Sequence, residues 1–340
     1  MTPYTPSLLL AIMIFQGSSI VEGAAEIEMA ITPLRDTYHR GEPVGIVLSM
    51  TNVGRNTLQL DLWYPHRIGI TFACKDCHVE PSRDTIGGVR PLVDIAPGEE
   101  LVRVFAVNRF VRFPKLGRYV VEYSGLYVVW PSTDDGPAGM VLFRPKGELV
   151  IELKAGPIDE QWIHELVNVL AQKKPQPWND ETDDQHTLSW EEALELLLWT
   201  DTPLVIEPLI SAGKQARMGA ARRVIASLHK FFPQHERARA GILEIARADD
   251  GDPFVVRAAL DVYEKEDVVV PAQWFRPILT SDYVESIAVS LEYLRRHATS
   301  EAVSLVEPLL KSENEATARR AASVVKELRA RPPSGKPDGT

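Results

Sequence analysis

The sequence predicts a multidomain, all-β plus all-α chain: an antiparallel β-sandwich over residues 26–155, then an α-helical solenoid over residues 156–330. Three observations carry that prediction. Apolar residues recur with period two as far as Leu153 and with a helical period from Trp162 onward. Turn-forming residues punctuate the first half at short intervals. A proline-led aliphatic phrase recurs in the second half, at Pro208, Pro277 and Pro308. With 340 residues, 45% hydrophobic and 25% charged, the composition fits a folded protein of about two domains. The net charge of −10 argues against a dedicated nucleic-acid binder, whose surface must neutralise phosphates.

Residues 1–25 read as a signal peptide. Leu8 to Phe15 is an unbroken apolar run, and Gly23 and Ala25 supply small residues for cleavage after Ala25. The run is far shorter than the roughly 20 residues a spanning helix needs, so no stable membrane span is expected. No Lys or Arg precedes the run, which departs from the usual basic start. The expected location is exported, periplasmic or extracellular.

Strands are expected at Val44–Met50, Leu58–Leu62, Ile68–Phe72, Leu101–Phe105, Tyr119–Tyr123 and Leu149–Leu153, where β-branched and aromatic residues alternate with polar ones. Turn signals separate them at Arg40-Gly41-Glu42-Pro43, Asn52-Val53-Gly54, Ala96-Pro97-Gly98 and Lys115-Leu116-Gly117. Tyr119 and Tyr123 are candidate corner anchors through their hydroxyls. The order Tyr38-His39-Arg40-Gly41-Glu42-Pro43-Val44, Thr51-Asn52-Val53-Gly54, Ile95-Ala96-Pro97-Gly98-Glu99 and Leu116-Gly117-Arg118-Tyr119-Val120 resembles immunoglobulin-like β-sandwiches of exported bacterial proteins. These are turn and strand signals, so the resemblance implies a fold and little about function.

Helix pairs are expected at 162–172 with 189–201, 202–212 with 215–229, 236–248 with 253–266, 271–281 with 283–298, and 301–312 with 315–330. Asp252, Asp282 and Asn314 read as N-caps of second helices. Proline in a first helix is expected to remove a hydrogen bond and bend it. The stretch Gln172–Asp184 reads as an acidic loop without the Gly and terminal Glu of an EF-hand. Residues 331–340 read as a disordered tail. The proline-bearing first helices and the Ala- and Arg-rich second helices resemble HEAT-like repeats, which implies a solenoid with a groove lined by second helices.

That resemblance makes Arg217, Arg222, Arg223, Arg257, Arg295 and Arg320 the candidate partner-binding residues. A basic stripe within an acidic body suits an acidic peptide or another anionic ligand. Pairing within a repeat, such as Arg257 with Asp252 or Asp261, is the structural alternative.

Cys74-Lys75-Asp76-Cys77-His78 admits several readings. A disulfide across a hairpin tip would persist in an oxidising compartment. The C-x-x-C-H spacing is also that of c-type haem attachment, with His78 as iron ligand. As a metal site, Cys74, Cys77 and His78 give three ligands where a closed zinc site needs four. A reactive dithiol would want a helix N-terminus beside it. His164-Glu165-Leu166-Val167-Asn168 begins like a zinc-protease helix, but Asn168 stands where the second histidine belongs. No nucleophile elbow, Walker loop or dinucleotide fingerprint occurs. Trp63, Tyr64, Trp130 and Trp178 read as core or stacking aromatics.

The expected function is therefore non-enzymatic: an exported protein that binds or scaffolds another protein or peptide through the solenoid groove and sandwich loops, with no cofactor. The alternatives are a haem or thiol redox protein centred on the cysteine motif and an inhibitor-like sandwich acting on an extracellular enzyme.

Overall fold

The computed structural model describes residues 27–61, 70–79, 92–125, 127–133, 136–137, 141–172, 188–248 and 251–331. The signal segment, Trp63, Tyr64, the acidic loop around Trp178, the tail beyond Arg331 and the side chain of Trp130 lie outside them.

An N-terminal β-sheet region precedes a helical region. The strands are β1 (Ile27–Pro33), β2 (Tyr38–His39), β3 (Gly45–Asn52), β4 (Leu58–Asp61), β5 (Ile70–Ala73), β6 (His78–Val79) and β7 (Leu92–Ile95). They continue as β8 (Glu100–Ala106), β9 (Val111–Arg112), β10 (Gly117–Gly125), β11 (Tyr127–Thr133), β12 (Gly136–Pro137), β13 (Val141–Phe143) and β14 (Lys146–Lys154). The sheets run β1-β3-β8, β2-β14-β10-β5, β12-β11-β4-β7 with β13 also on β11, and β6-β9. Period two is realised directly. In β3, Ile46, Leu48 and Met50 are buried while Val47, Ser49 and Thr51 are half-exposed. In β14, Leu149 and Ile151 are buried and Glu148 and Val150 exposed. Antiparallel β1 sets Ile31 opposite Leu48 and Met29 opposite Met50.

The turn residues act as their chemistry dictates. Buried Asn52 donates its amide to the carbonyls of Asn56 and Ile95, each at 2.8 Å, and its Oδ1 accepts from Gly54 N at 2.9 Å. Tyr119 Oη donates to Lys115 O at 2.7 Å and accepts from Lys115 N at 3.0 Å, which closes the expected corner. Tyr123 serves differently. Its hydroxyl lies against Gly147, where a Cβ would stand 2.5 Å from Oη.

Ten α-helices occur among the described residues: α1 (Glu160–Gln172), α2 (Trp190–Leu197), α3 (Ile206–Gln215), α4 (Met218–Phe231), α5 (Glu236–Arg247), α6 (Pro253–Lys265), α7 (Arg276–Leu279), α8 (Val284–His297), α9 (Val303–Val306) and α10 (Glu315–Arg329). Helix α3 packs on α4 and α5, while α4, α6, α8 and α10 form a row in which each packs on the next.

The prolines break their helices rather than merely bending them. Pro208 follows a 3-10 turn at Pro203–Val205, and Pro277 follows one at Ala272–Phe275. Pro308 lies in a 3-10 stretch, Glu307–Lys311, that ends α9. At Pro208 and Pro277 the residue without an N–H falls in the first turn of an α segment, where no helical partner is lost. Helix α5, which has no proline, runs unbroken over twelve residues.

Two expected N-caps are present. Asp252 Oδ1 accepts from Phe254 N at 2.9 Å and Val255 N at 3.2 Å, and Asn314 Oδ1 accepts from Ala316 N and Thr317 N at 3.0 Å. Asp282 is a correction. Helix α8 starts one residue later than the pattern suggests, so Tyr283 takes the cap position and no side chain bonds there. Replacing Asp252 with Ala is expected to lower stability by about 1 kcal/mol in urea unfolding. The same change at Asp282 should stay within about 0.5 kcal/mol, as for a surface residue without a cap bond.

The chain divides into two compact units. One lies within Met1–Asp36, Ile46–Arg103 and Phe110–Glu152; the other within Thr37–Gly45, Val104–Arg109 and Leu153–Thr340. The helical unit therefore contains two stretches from the strand-rich half of the sequence, and polar groups, buried or partly buried for the most part, bind them to its helices and the segments beside them. Glu42 Oε1 accepts from Asp159 N at 2.6 Å, just before α1. Glu42 Oε2 accepts from His39 N at 2.9 Å. Asn108 accepts from Val44 N at 3.2 Å and donates to Trp199 O at 3.3 Å. Asp201 N donates to Gly41 O at 2.8 Å, with Gly41 at φ +94°, a conformation that favours glycine. Glu192 completes a capping box with Ser189 and also accepts from Val104 N at 2.8 Å.

Candidate functional site

The helical cations fall into two groups. The first is held in ion pairs between neighbouring helices. Arg223 of α4 bonds Glu195 of α2, a carboxylate only 1% exposed, and Arg109 approaches the same carboxylate at 3.6 Å. Arg237 of α5 bridges Glu207 and Glu244. Arg239 and His229 converge on Glu266 at 3.5 and 3.1 Å. Arg296 and His297 of α8 reach Glu264 of α6 at 3.0 and 3.1 Å. Arg295 pairs with Glu292 at 2.8 Å and with Glu327 of α10 at 3.6 Å. The hydrogen bond from Arg295 holds the Glu292 carboxyl below its ordinary pKa, and the charges of Arg296 and Arg257 add to it.

The second group stands at the surface. Arg217, Arg222 and Arg320 are exposed, and no acid pairs with them among the described residues. Arg257 is half-buried; its charge helps to hold the Glu292 carboxyl down, no ion pair joins it to Asp252 or Asp261 among the described residues, and Asp252 is engaged as the α6 cap. The six candidate arginines thus do not form one uniform row. Arg223 and Arg295 are tied to acids, whereas Arg217, Arg222 and Arg320 are not among the described residues.

Sequence reasoning missed a set of exposed apolar residues at the helix starts. Met218 begins α4 and is 42% exposed, Phe254 near the start of α6 is 59% exposed, and Tyr283 caps α8 at 45%. Each opens a second helix, a recurrence visible only once the helix starts are fixed.

The acids paired with Arg237 fix a pH response. Arg237 hydrogen-bonds Glu207 and Glu244 and holds both below their ordinary value of 4.5. Their stabilising contribution is complete above that value and is lost as pH falls through the lowered folded pKa. Both acids are largely solvated, so the effect is small. In urea titrations stepped from neutral to acid, Arg237→Gln should show a shallower loss of stability than the parent.

Cys74 and Cys77 are joined in a disulfide, and no cysteine is free. The turn that carries it is not a hairpin tip. Strand β5 pairs with β10, and β6 pairs with β9, setting His78 opposite Arg112. The bridge therefore links strands of two different sheets. With both sulfurs in one bond, neither is available for a haem thioether, and His78 is exposed on β6. Among the described residues no group of three or more His, Cys, Asp or Glu is placed to hold a metal ion. No helix there is long and apolar enough to cross a membrane. Because the closed loop is so short, Cys74→Ser with Cys77→Ser should lower stability by at most about 2 kcal/mol. Thiol alkylation of the unreduced, unfolded parent should add no mass.

No protein-family model matches the chain, and no curated protein matches it. Among solved structures there is a distant match to Escherichia coli alpha-2-macroglobulin from domain MG7 to its C-terminus, at 13% identity and TM-score 0.23, over 89% of this chain and 62% of that one. Salmonella alpha-2-macroglobulin matches at 13% identity and TM-score 0.23, over 92% and 23% of the two chains. Listeria innocua beta-glucosidase matches at 13% identity and TM-score 0.17, over 39% and 16%. The chain spans less than two thirds of the length of each of these proteins.

Proposed function

We propose that the chain is an exported, non-enzymatic protein that binds another protein or peptide. In this reading residues 26–155 are an immunoglobulin-like β-sandwich, and residues 156–330 a HEAT-like solenoid whose second helices present the partner face. The row α4, α6, α8, α10, each packed on the next, supports a solenoid. The carrying observation is the set of exposed cations with no acidic partner among the described residues, Arg217, Arg222 and Arg320, in a chain with 47 acids. Cations held in the ion-pair ladder stabilise the stack; those left out of it are available to a partner.

The test is capture from envelope extracts with the full exported chain and with Arg222→Glu, Arg257→Glu and Arg320→Glu combined. Arg223 is left alone, since its reversal would set two carboxylates together at Glu195. A defined partner retained by the parent and lost by the variant upholds the reading. A partner retained equally by both moves the contact to the sheet loops, as an inhibitor-like protein would have it, and overturns the helical face.

A further inference from the structure

We infer that the joint face of α4 and α6 receives an acidic segment of the partner protein that carries apolar side chains. The inference rests on the partner-binding reading and names what that face recognises.

From Pro208 to His235 the sequence contains no Asp or Glu, yet it carries Lys214, Arg217, Arg222, Arg223 and Lys230. In a chain of net charge −10 this is a local reversal of sign. Lys214 stands 3.6 Å from Glu244, and Arg223 bonds Glu195. Lys230 lies 4.1 Å from the Trp199 ring centroid. Arg217, at the cap position of α4, and Arg222, in its second turn, remain at the surface.

Helix α6 packs on α4 and repeats the arrangement. Arg222 directly follows buried Ala221, and Arg257 directly follows buried Val256, so the two arginines hold the same register on adjacent helices. Met218 precedes Arg222 by four residues and Phe254 precedes Arg257 by three, so each lies on its arginine's side of the helix. Both are unusually exposed for their type, at 42% and 59%. Cations beside exposed apolar side chains match a peptide in which carboxylates alternate with apolar residues. The apolar anchors supply affinity, and the charges supply orientation and speed of encounter. An anionic bilayer is the poorer fit, because a body of net charge −10 is repelled from it.

The probe is a fluorescein-labelled synthetic peptide of Asp and Glu carrying one Leu and one Phe, followed by anisotropy with the full chain. The parent should bind it, and added salt should weaken binding. Arg222→Glu with Arg257→Glu should weaken it by about tenfold or more, the scale of two lost charge contacts. Phe254→Ser should weaken it, while Phe254→Leu retains it. Arg55→Glu, the reversal of one charge on an exposed residue of the other unit, should leave it unchanged. Equal binding of a peptide with Lys in place of the acids, or indifference to both arginine changes, overturns the inference. So does binding of phosphatidylglycerol vesicles through these residues without binding of the peptide. Peptide binding that responds to Arg222 and Arg257 upholds the inference even if extracts yield no partner. A captured partner indifferent to both residues overturns it while leaving partner binding itself standing.

Discussion

A fragment beginning at Leu153 is expected to lose cooperative unfolding, although it contains all ten α-helices of the described residues. It lacks Thr37–Gly45 and Val104–Arg109, which belong to the helical unit. Without them Asp159 N loses the Glu42 carboxylate, Trp199 O loses Asn108 and Asp201 N loses Gly41 O. Fully buried Tyr38, whose ring lies 6.2 Å from that of Trp162, is removed as well. Loss of one large buried aromatic contact costs about 3–5 kcal/mol, and stranded polar groups add about 1–3 kcal/mol each. A typical domain holds only about 5–15 kcal/mol in total. Urea unfolding followed by far-UV circular dichroism should show a broad, early transition for the fragment. A midpoint equal to that of the full chain would contradict this.

Glu195→Ala is expected to cost about 3–5 kcal/mol, as much as truncating a large core residue. The carboxylate is 1% exposed and faces Arg223 and Arg109, whose side chains are only 22% and 12% exposed. Removing it leaves two guanidinium groups near each other in poor solvent, with no carboxylate between them. Arg223→Ala in the same chain removes one stranded charge, so the double variant should be more stable than the sum of the two single losses. Urea midpoints of the four chains measure this. Strict additivity would show that the contact is not coupled.

The first effect comes from contacts that leave no periodic trace. The strand runs were legible because one face of β3 or β14 is buried, and that writes period two into the sequence. Pro208, Pro277 and Pro308 marked where the first helices are disturbed, but the sequence reads a bend there and the structure has a break, because a residue without an N–H is accommodated in a new first turn or a 3-10 stretch. The caps at Asp252 and Asn314 were legible through their short acceptors, and Asp282 misled because a helix start shifted by one residue is enough to lose the bond. Glu192 announced its capping box with Ser189 three residues away, but nothing local foretold its second bond, to Val104. The same holds for Glu42 and Asn108.

The ion pairs left a signal that was available. Glu195 and Arg223 are 28 residues apart, Glu207 and Arg237 are 30, and Glu264 and His297 are 33. Opposite charges spaced by about one repeat face each other across neighbouring helices. A search at that spacing would have flagged Arg223 with Glu195, but it would equally have matched Arg222 with Glu192 at 30 residues and Arg320 with Glu292 at 28, so only the structure separates the paired arginine from the exposed ones. The apolar members, Met218 and Phe254, needed the structure, since an apolar residue at a helix start reads as core until its exposure is known.

The most direct test of the partner face is site-specific photo-crosslinking in intact cells, with a benzophenone amino acid at position 254 and, separately, at position 120. Phe254 is exposed on α6, and Val120, at 47%, is exposed on β10. The expected result is an ultraviolet-dependent adduct with one exported protein from position 254, lost when Arg222 and Arg257 are reversed, and none from position 120. An adduct from position 120 with none from position 254 would contradict a partner face on the helices.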